Sequence, residues 1–88
     1  MTLLETVVRA LADMVVSVDL SDEESVNADF AARIFDDLAG VFDTIEDEDR
    51  HQLSAIIENY AQTVSDARRR DALAGLPESI GLADEDEE

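Results

Sequence analysis

The chain has 88 residues, 23 of them acidic and six basic, for a formal net charge of −17, and it contains no cysteine. That length supports one small hydrophobic core and one domain. Without cysteine, disulfides, thiolate metal sites and cysteine nucleophiles are excluded. The strong negative charge disfavours nucleic acid and anionic membranes as partners and favours fast association with basic proteins. All six basic residues are arginine, and alanine, aspartate and valine are abundant, a composition typical of high-GC bacterial genomes.

The N-terminal segment predicts an amphipathic helix. Thr2 and Glu5 match a capping box, and apolar residues follow at helical spacing. The apolar stripe comprises Leu3, Val7, Leu11, Met14, Val15 and Val18. Val16 lies off this stripe, so either the helix frays there or that side is covered. The MVVSV end also fits a strand, but the chain has no second strand to pair with it.

The same segment has neither the basic leading residues of a secretion signal nor an uncharged apolar span. Glu5, Arg9 and Asp13 interrupt its apolar residues. We therefore expect neither a signal peptide nor a membrane helix, and a cytoplasmic protein.

The second apolar segment carries the strongest helical periodicity in the chain. A polar stretch rich in capping residues precedes it, and we expect the helix to begin between Asn27 and Asp29. Its apolar stripe comprises Phe30, Ile34, Phe35, Leu38, Val41, Phe42 and Ile45. A stripe of this width, roughly 140°, is typical of a helix that packs on a core.

Two further helices follow an acidic interruption. The third helix has an apolar stripe of Leu53, Ile56, Ile57, Tyr60, Ala61 and Val64. Ser65 and Asp66 are expected to end it and to cap a fourth helix. This fourth helix should be short, over residues 67–76, because Gly75 and Pro77 stop it.

These patterns predict an all-α fold, an antiparallel three-helix bundle with a short fourth C-terminal helix. The sequence has neither paired strand patterns nor an internal repeat. Ile80 and Leu82 should dock on the bundle, so a single helical domain is expected over residues 1–82. Residues 83–88 hold five of the acids and are expected to form a disordered acidic tail.

Glu48 and His51 have the E-x-x-H spacing with which some helical bundles bind metal. Such a site requires a second E-x-x-H and two further glutamates that face the bundle interior, and the chain has no second pair. The helical phase also places Glu48 and His51 roughly 140–160° from the apolar face. Loops opened at Asp19 or Asp43 lack the glycine and glutamate of a calcium-binding EF-hand. We therefore predict no metal and no cofactor.

Helix initiation explains the acidic residues 46–49 better than metal binding does. They occupy the first turn of the third helix, where the macrodipole favours negative charge. Glu46 and Asp47 also precede Arg50 and His51 by four residues, a favourable spacing for ion pairs.

Few residues are available for catalysis. One solvent-facing histidine, no cysteine, no lysine and no serine near a base leave only carboxylates. No pair of carboxylates has a reason in the sequence to be buried with a shifted pKa. We predict no catalytic residue and expect that the protein is not an enzyme.

The size and acidity also suit an acyl carrier protein. Those proteins carry a serine at the start of the second helix, and the corresponding stretch here, NADFAARIF, has none. The similarity is therefore one of size and charge.

Arg68, Arg69 and Arg70 form the only basic run, and Asp66 and Asp71 flank it. We expect these arginines to interact within the chain rather than with phosphate, and we predict no nucleic-acid partner.

Exposed carboxylates are the strongest remaining signal. Asp29, Asp36 and Asp43 recur every seven residues, a row with a spacing of about 10 Å along a helix. The acidic turn that follows extends this row. The predicted partner-binding residues, called the acidic face below, are Asp29, Asp36, Asp43, Glu46, Asp47 and Glu48. Such a face suits a basic groove on a protein partner, and the alternative is an ordinary solvated helix face.

Two segments of the C-terminal half carry a family resemblance. One is Leu76-Pro77-Glu78-Ser79-Ile80-Gly81-Leu82, between a short helix and an acidic end, and the other is Glu48-Asp49-Arg50 before the apolar helix. In these segments the chain resembles small acidic all-helical proteins of high-GC bacteria, several of which look like immunity partners of secreted polymorphic toxins. The resemblance assigns no functional residue.

That resemblance implies a binding protein that blocks a toxin domain. A self-associating structural or adaptor module, for example a homodimer, is the alternative. Its contact surface would be an apolar strip around Val16.

Overall fold

The computed structural model describes residues 2–22 and 24–82. Within these ranges the chain forms four α-helices and no strand, so the all-α prediction is confirmed. The helices are α1 (Leu3–Leu20), α2 (Ala28–Phe42), α3 (Asp47–Ala61) and α4 (Ala67–Ser79). Their packing around a shared apolar core is compatible with a bundle. The predicted disordered tail, residues 83–88, lies outside the described residues.

Polar side chains that accept hydrogen bonds from free first-turn amides begin three of these helices. Thr2 Oγ1 accepts from the Glu5 amide at 3.1 Å, and Glu5 Oε1 accepts from the Thr2 amide at 2.8 Å. The predicted capping box is therefore confirmed, and its bond from the Thr2 amide lowers the pKa of Glu5. Asn27 caps α2 and Asp66 caps α4, each accepting from an amide two residues ahead, at 2.8 and 2.9 Å.

The core lies between α1, α3, α4 and the residues that follow α4. Its buried apolar side chains are Val8, Ala12, Val15, Val16, Ile57, Ala61, Leu73, Leu76, Ile80 and Leu82. None of them belongs to α2, whose Phe35, Leu38 and Phe42 are only half-buried against the core. The fourth helix, predicted as a short addition, therefore belongs to the central group of helices, and α2 packs on its outside.

The buried side of α1 differs from the predicted one. Leu3, Val7 and Met14 belong to the predicted stripe, yet they are 80%, 55% and 58% exposed. Val16 lies off that stripe and is completely buried. Because α1 packs against both α3 and α4, its buried surface is wider than one apolar stripe. A single stripe therefore does not identify all of its buried residues. The covered-side interpretation of Val16 is confirmed, and a self-association strip around Val16 is wrong because that side chain is inside the core.

The fourth helix continues to Ser79, past the predicted stops at Gly75 and Pro77. Pro77 has no amide to donate to the carbonyl four residues back. Its ring is nevertheless buried, and removing apolar surface from water is favourable. Gly75 does not have the positive φ of a helix terminator. The prediction of the helix start was therefore correct, whereas the prediction of its end was wrong.

A glycine turn of the Schellman type ends α4. Gly81 has a φ of 81°, the Leu82 amide donates to the Pro77 carbonyl at 2.7 Å, and the Gly81 amide donates to the Glu78 carbonyl at 3.3 Å. This turn directs the chain back to the bundle. Ile80 and Leu82 are 1% and 2% exposed, so their predicted docking is confirmed.

The second helix, α2, contacts this C-terminal turn. A Cβ placed on Gly81 would lie 3.4 Å from the Cβ of Ala39, so the α2 backbone approaches the turn closely. Phe30 and Val41 were expected to pack on the core, but they are 55% and 61% exposed. Since α2 has the core on only one of its sides, these two positions of its wide apolar stripe face outward.

Candidate partner-binding surface

All six residues of the acidic face are exposed. Asp29 and Asp36 lie on α2, and Asp43 directly follows its last residue. Glu46 is the residue before α3, and Asp47 and Glu48 lie in the first turn of α3. The face is therefore presented by two successive helices and the turn that joins them.

Arg50 holds this turn in place. Its guanidinium forms an ion pair with Asp47, lies 4.0 Å from Asp43 and donates to the Phe42 carbonyl at 3.3 Å. The Arg50 side chain is only 22% exposed, whereas those of Asp43 and Asp47 are more than 80% exposed. The expected partner four residues earlier, Glu46, is replaced by Asp47 three residues earlier. Arg50 therefore links the end of α2 to the start of α3 beneath the acidic face.

Metal ligands are not assembled at this surface. Glu48 and His51 are both exposed, as the helical phase predicted. Across residues 2–22 and 24–82, no three carboxylates or imidazoles lie together in a group that could hold a metal ion.

An apolar groove of about 220 Å³ has Phe42, the residue before Asp43 of the acidic face, in its lining. The groove is lined by residues of α1, by Phe42 at the end of α2, and by residues of α3, the end of α4 and the C-terminal turn. The lining residues are Leu4, Val7, Val8, Leu11, Ala12, Val15, Phe42, Leu53, Ile57, Leu76, Ile80 and Leu82. The groove is not indicated by the sequence, because it depends on the orientation of α1 and on the partial docking of α2.

A polar cluster on another side of the bundle joins α1, α3 and α4. The Tyr60 hydroxyl donates to both carboxylate oxygens of Asp13, at 2.9 and 2.8 Å. Arg69 Nη2 lies 3.7 Å from Asp13 Oδ1, and the guanidinium of Arg9 lies 4.7 Å from the centre of the Tyr60 ring. The hydrogen bond to Asp13 favours the neutral phenol and raises the pKa of Tyr60.

The arginine run is used within the fold, as expected. Besides its ion pair with Asp13, Arg69 donates to the Asp13 carbonyl at 3.4 Å. Arg68 donates to the Leu20 carbonyl at 3.3 Å, and Arg70 donates to the Val64 carbonyl at 3.2 Å. The Tyr60–Asp13 pair was not predicted, because the sequence placed Tyr60 in the apolar stripe of the third helix and indicated no partner for Asp13.

No helix in the described part of the chain is long and apolar enough to cross a membrane. Comparisons with protein-family models, with curated proteins and with solved structures found no match. The function proposed below therefore rests on the surface of the chain.

Proposed function

We propose that this chain is a non-enzymatic binding protein that engages a basic surface of another protein through its acidic face. The most specific version of this proposal is that the chain is an immunity protein, which blocks a toxin domain by covering a basic active-site cleft. The observation that supports this proposal best is the exposure of all six carboxylates along α2, the turn and α3. They belong to a chain with a net charge of −17.

Electrostatic steering supplies the mechanism. Opposite charge on two partners raises the association rate and orients the encounter before contact. Arg50 restrains the turn that carries Asp43 and Asp47. Because the carboxylates are presented by helices and a restrained turn, less conformational entropy is lost on binding than for a flexible acidic segment.

The test uses charge reversal away from Arg50, so that the turn itself is retained. The face variant carries Asp29→Lys, Asp36→Lys and Glu48→Lys, all at exposed helical positions. The control variant carries Asp19→Lys, Asp71→Lys and Glu78→Lys, which are exposed elsewhere and give the same change in net charge. The neighbouring gene supplies the candidate partner: if it encodes a large secreted protein, the C-terminal domain of that protein is tested.

We expect the face variant to slow association with that domain at least tenfold at low salt, and the control variant to slow it by much less. Surface plasmon resonance at several salt concentrations measures both. Equal rates for wild type and the face variant would show that the acidic face is not the contact surface. Equal slowing of both variants would show that the net charge of the chain, and not the position of the acidic face, sets the association rate.

Self-association is the second candidate function, and exposed apolar side chains on α1 and α2 favour it. These are Leu3, Leu4, Val7, Met14, Phe30 and Val41. Two copies with a charge of −17 each repel one another at low salt. A homodimer should therefore strengthen as salt is added, and analytical ultracentrifugation over a salt series distinguishes it from a monomer.

A further inference from the structure

The apolar groove has a chemistry that charge steering does not use. All of its lining side chains are hydrocarbon in character, and Leu4 and Val7 on its rim are 42% and 55% exposed. Water in such a groove finds no polar side chain to bond, so apolar groups of a ligand displace it favourably. The groove is therefore suited to bind apolar side chains.

The part of α1 that lines the groove is long enough to lie along a few turns of another helix. Its α1 wall extends from Leu4 to Val15, which is about 16 Å along the helix axis. Anchors at positions i, i+4 and i+7 of a bound helix span about 10 Å. Phe42 at the end of α2 also lines the groove. A single incoming helix can thus lay its apolar stripe between α1 and the end of α2.

Acidic residues lie close in sequence to two lining residues of the groove, and with the net charge of −17 they favour a cationic occupant. Phe42 is followed directly by Asp43, and Leu53 is preceded by Asp49 one helical turn earlier. Residues 83–88, ADEDEE, offer no large apolar side chain. A second copy of the chain would bring its own charge of −17 against a chain of the same charge. Neither matches an apolar groove in a strongly acidic protein.

We propose that the groove binds the apolar stripe of a cationic amphipathic helix from a partner protein, while the acidic face pairs with its lysines and arginines. The assignment of the cationic flanks rests on the proposed function, whereas the assignment of the apolar stripe rests on the groove alone. Helix-in-groove recognition then provides affinity, and the carboxylates provide rate and selectivity.

Three synthetic peptides of about 18 residues, five helical turns, serve as probes. The first is built from leucine and lysine with leucine on one helical face. The second has the same composition in an order without an apolar face, and the third replaces lysine by glutamate. We expect the first peptide to bind, and the other two to bind at least tenfold more weakly. Fluorescence anisotropy at a concentration where the labelled peptide is monomeric measures all three.

A matched pair of protein variants locates the binding site. Val7→Gln changes the groove rim, and Val41→Gln makes the same change at a similarly exposed position, 61% against 55%, outside the groove lining. Glutamine suits a helix at least as well as valine, so both variants should fold. We expect Val7→Gln to weaken binding of the first peptide about tenfold, and Val41→Gln to change it less than about twofold.

The outcomes separate this inference from the proposed function. Equal binding of the leucine–lysine peptide and its rearranged form, or equal effects of the two valine variants, would overturn the groove proposal and leave the acidic face intact. If the glutamate peptide bound as tightly as the lysine peptide, the cationic occupant would be wrong.

If the chain dimerised and Val7→Gln abolished the dimer, a second copy would be the occupant instead. If charge reversal of the acidic face changed no peptide's affinity, the proposed function would fail while Val7→Gln still reported on the groove.

Discussion

The helices α2 and α4 differ in burial, and the difference is the opposite of the one that their sequences predict. Apolar residues recur most regularly in α2, yet α2 has no buried residue. Three arginines, Gly75 and Pro77 interrupt the pattern of α4, yet Leu73 is completely buried and Leu76 is 3% exposed. Periodicity therefore measures the apolar face that a helix can offer, whereas the contribution to the core depends on how many neighbours cover that face.

The neighbours of each helix explain the difference. The fourth helix packs against both α1 and α3, and its C-terminal turn adds Ile80 and Leu82 to the same core. The second helix contacts mainly α1 and, through Ala39, the turn at Gly81. A short apolar patch between two helices thus becomes buried more completely than a long stripe with one main contact.

The largest expected effect is on the free energy of unfolding, and it is tested by replacing one leucine in α4 and one in α2. Leu73→Ala in α4 should destabilise the fold by about 2–5 kcal/mol, because it removes a completely buried side chain and leaves a cavity. Leu38→Ala makes the same change in α2 at a half-buried position and should cost about 1 kcal/mol. Urea unfolding followed by circular dichroism measures both free energies of unfolding. Equal losses would show that α2 is as central to the fold as α4.

Replacement of Gly75, within α4, and of Gly81, after α4, by alanine should change the stability of the fold in opposite directions. Gly81→Ala should destabilise by about 1–2 kcal/mol, because a φ of 81° is unfavourable for alanine. Its Cβ would also press on Ala39 of α2. Gly75→Ala should stabilise by about 0.5–1 kcal/mol, because it lies in a helix with open space around it. Thermal unfolding measures both, and a shift of the same sign for both would contradict the Schellman turn.

The smallest effect tests a polar contact between α1 and α3, the Tyr60–Asp13 hydrogen bond, beside which Arg69 of α4 pairs with the same carboxylate. The hydrogen bond to Asp13 raises the folded-state pKa of Tyr60 above its unfolded value of about 10. The stabilisation from this bond is therefore present below about pH 10 and is lost as the pH rises through the folded-state pKa. Tyr60→Phe should cost about 1 kcal/mol at neutral pH and remove this alkaline loss.

The measurement is direct because Tyr60 is the only tyrosine and the chain has no tryptophan. Tyrosinate absorbance during an alkaline titration reports its pKa alone. Asp13→Asn should bring that pKa back toward 10, while Asp22→Asn, at an exposed carboxylate outside the cluster, should leave it unchanged. A normal tyrosine pKa in the wild-type protein would show that the bond to Asp13 does not form in solution.

Much of the local structure could be predicted. Thr2, Asn27 and Asp66 begin helices because their side chains bond to amides only two or three residues ahead. The burial of Val8, Ala12 and Val16 in α1 and of Pro77 in α4 could not, since each depends on a helix distant in the sequence. For the same reason the acidic face was predicted to lie at the surface, whereas the groove beside it was not predicted at all.

The sequence by itself therefore determined the helices, their starting residues and the exposure of the carboxylates. Helix caps are local hydrogen bonds, and a carboxylate stays in water unless a partner compensates its desolvation. Only the tertiary structure decided which side of α1 is buried, that α4 rather than α2 completes the core, and that an apolar groove remains open beside Phe42. Those outcomes depend on which helices pack against one another. Because the contacts join segments that are distant in the sequence, the pattern of a single segment does not determine them.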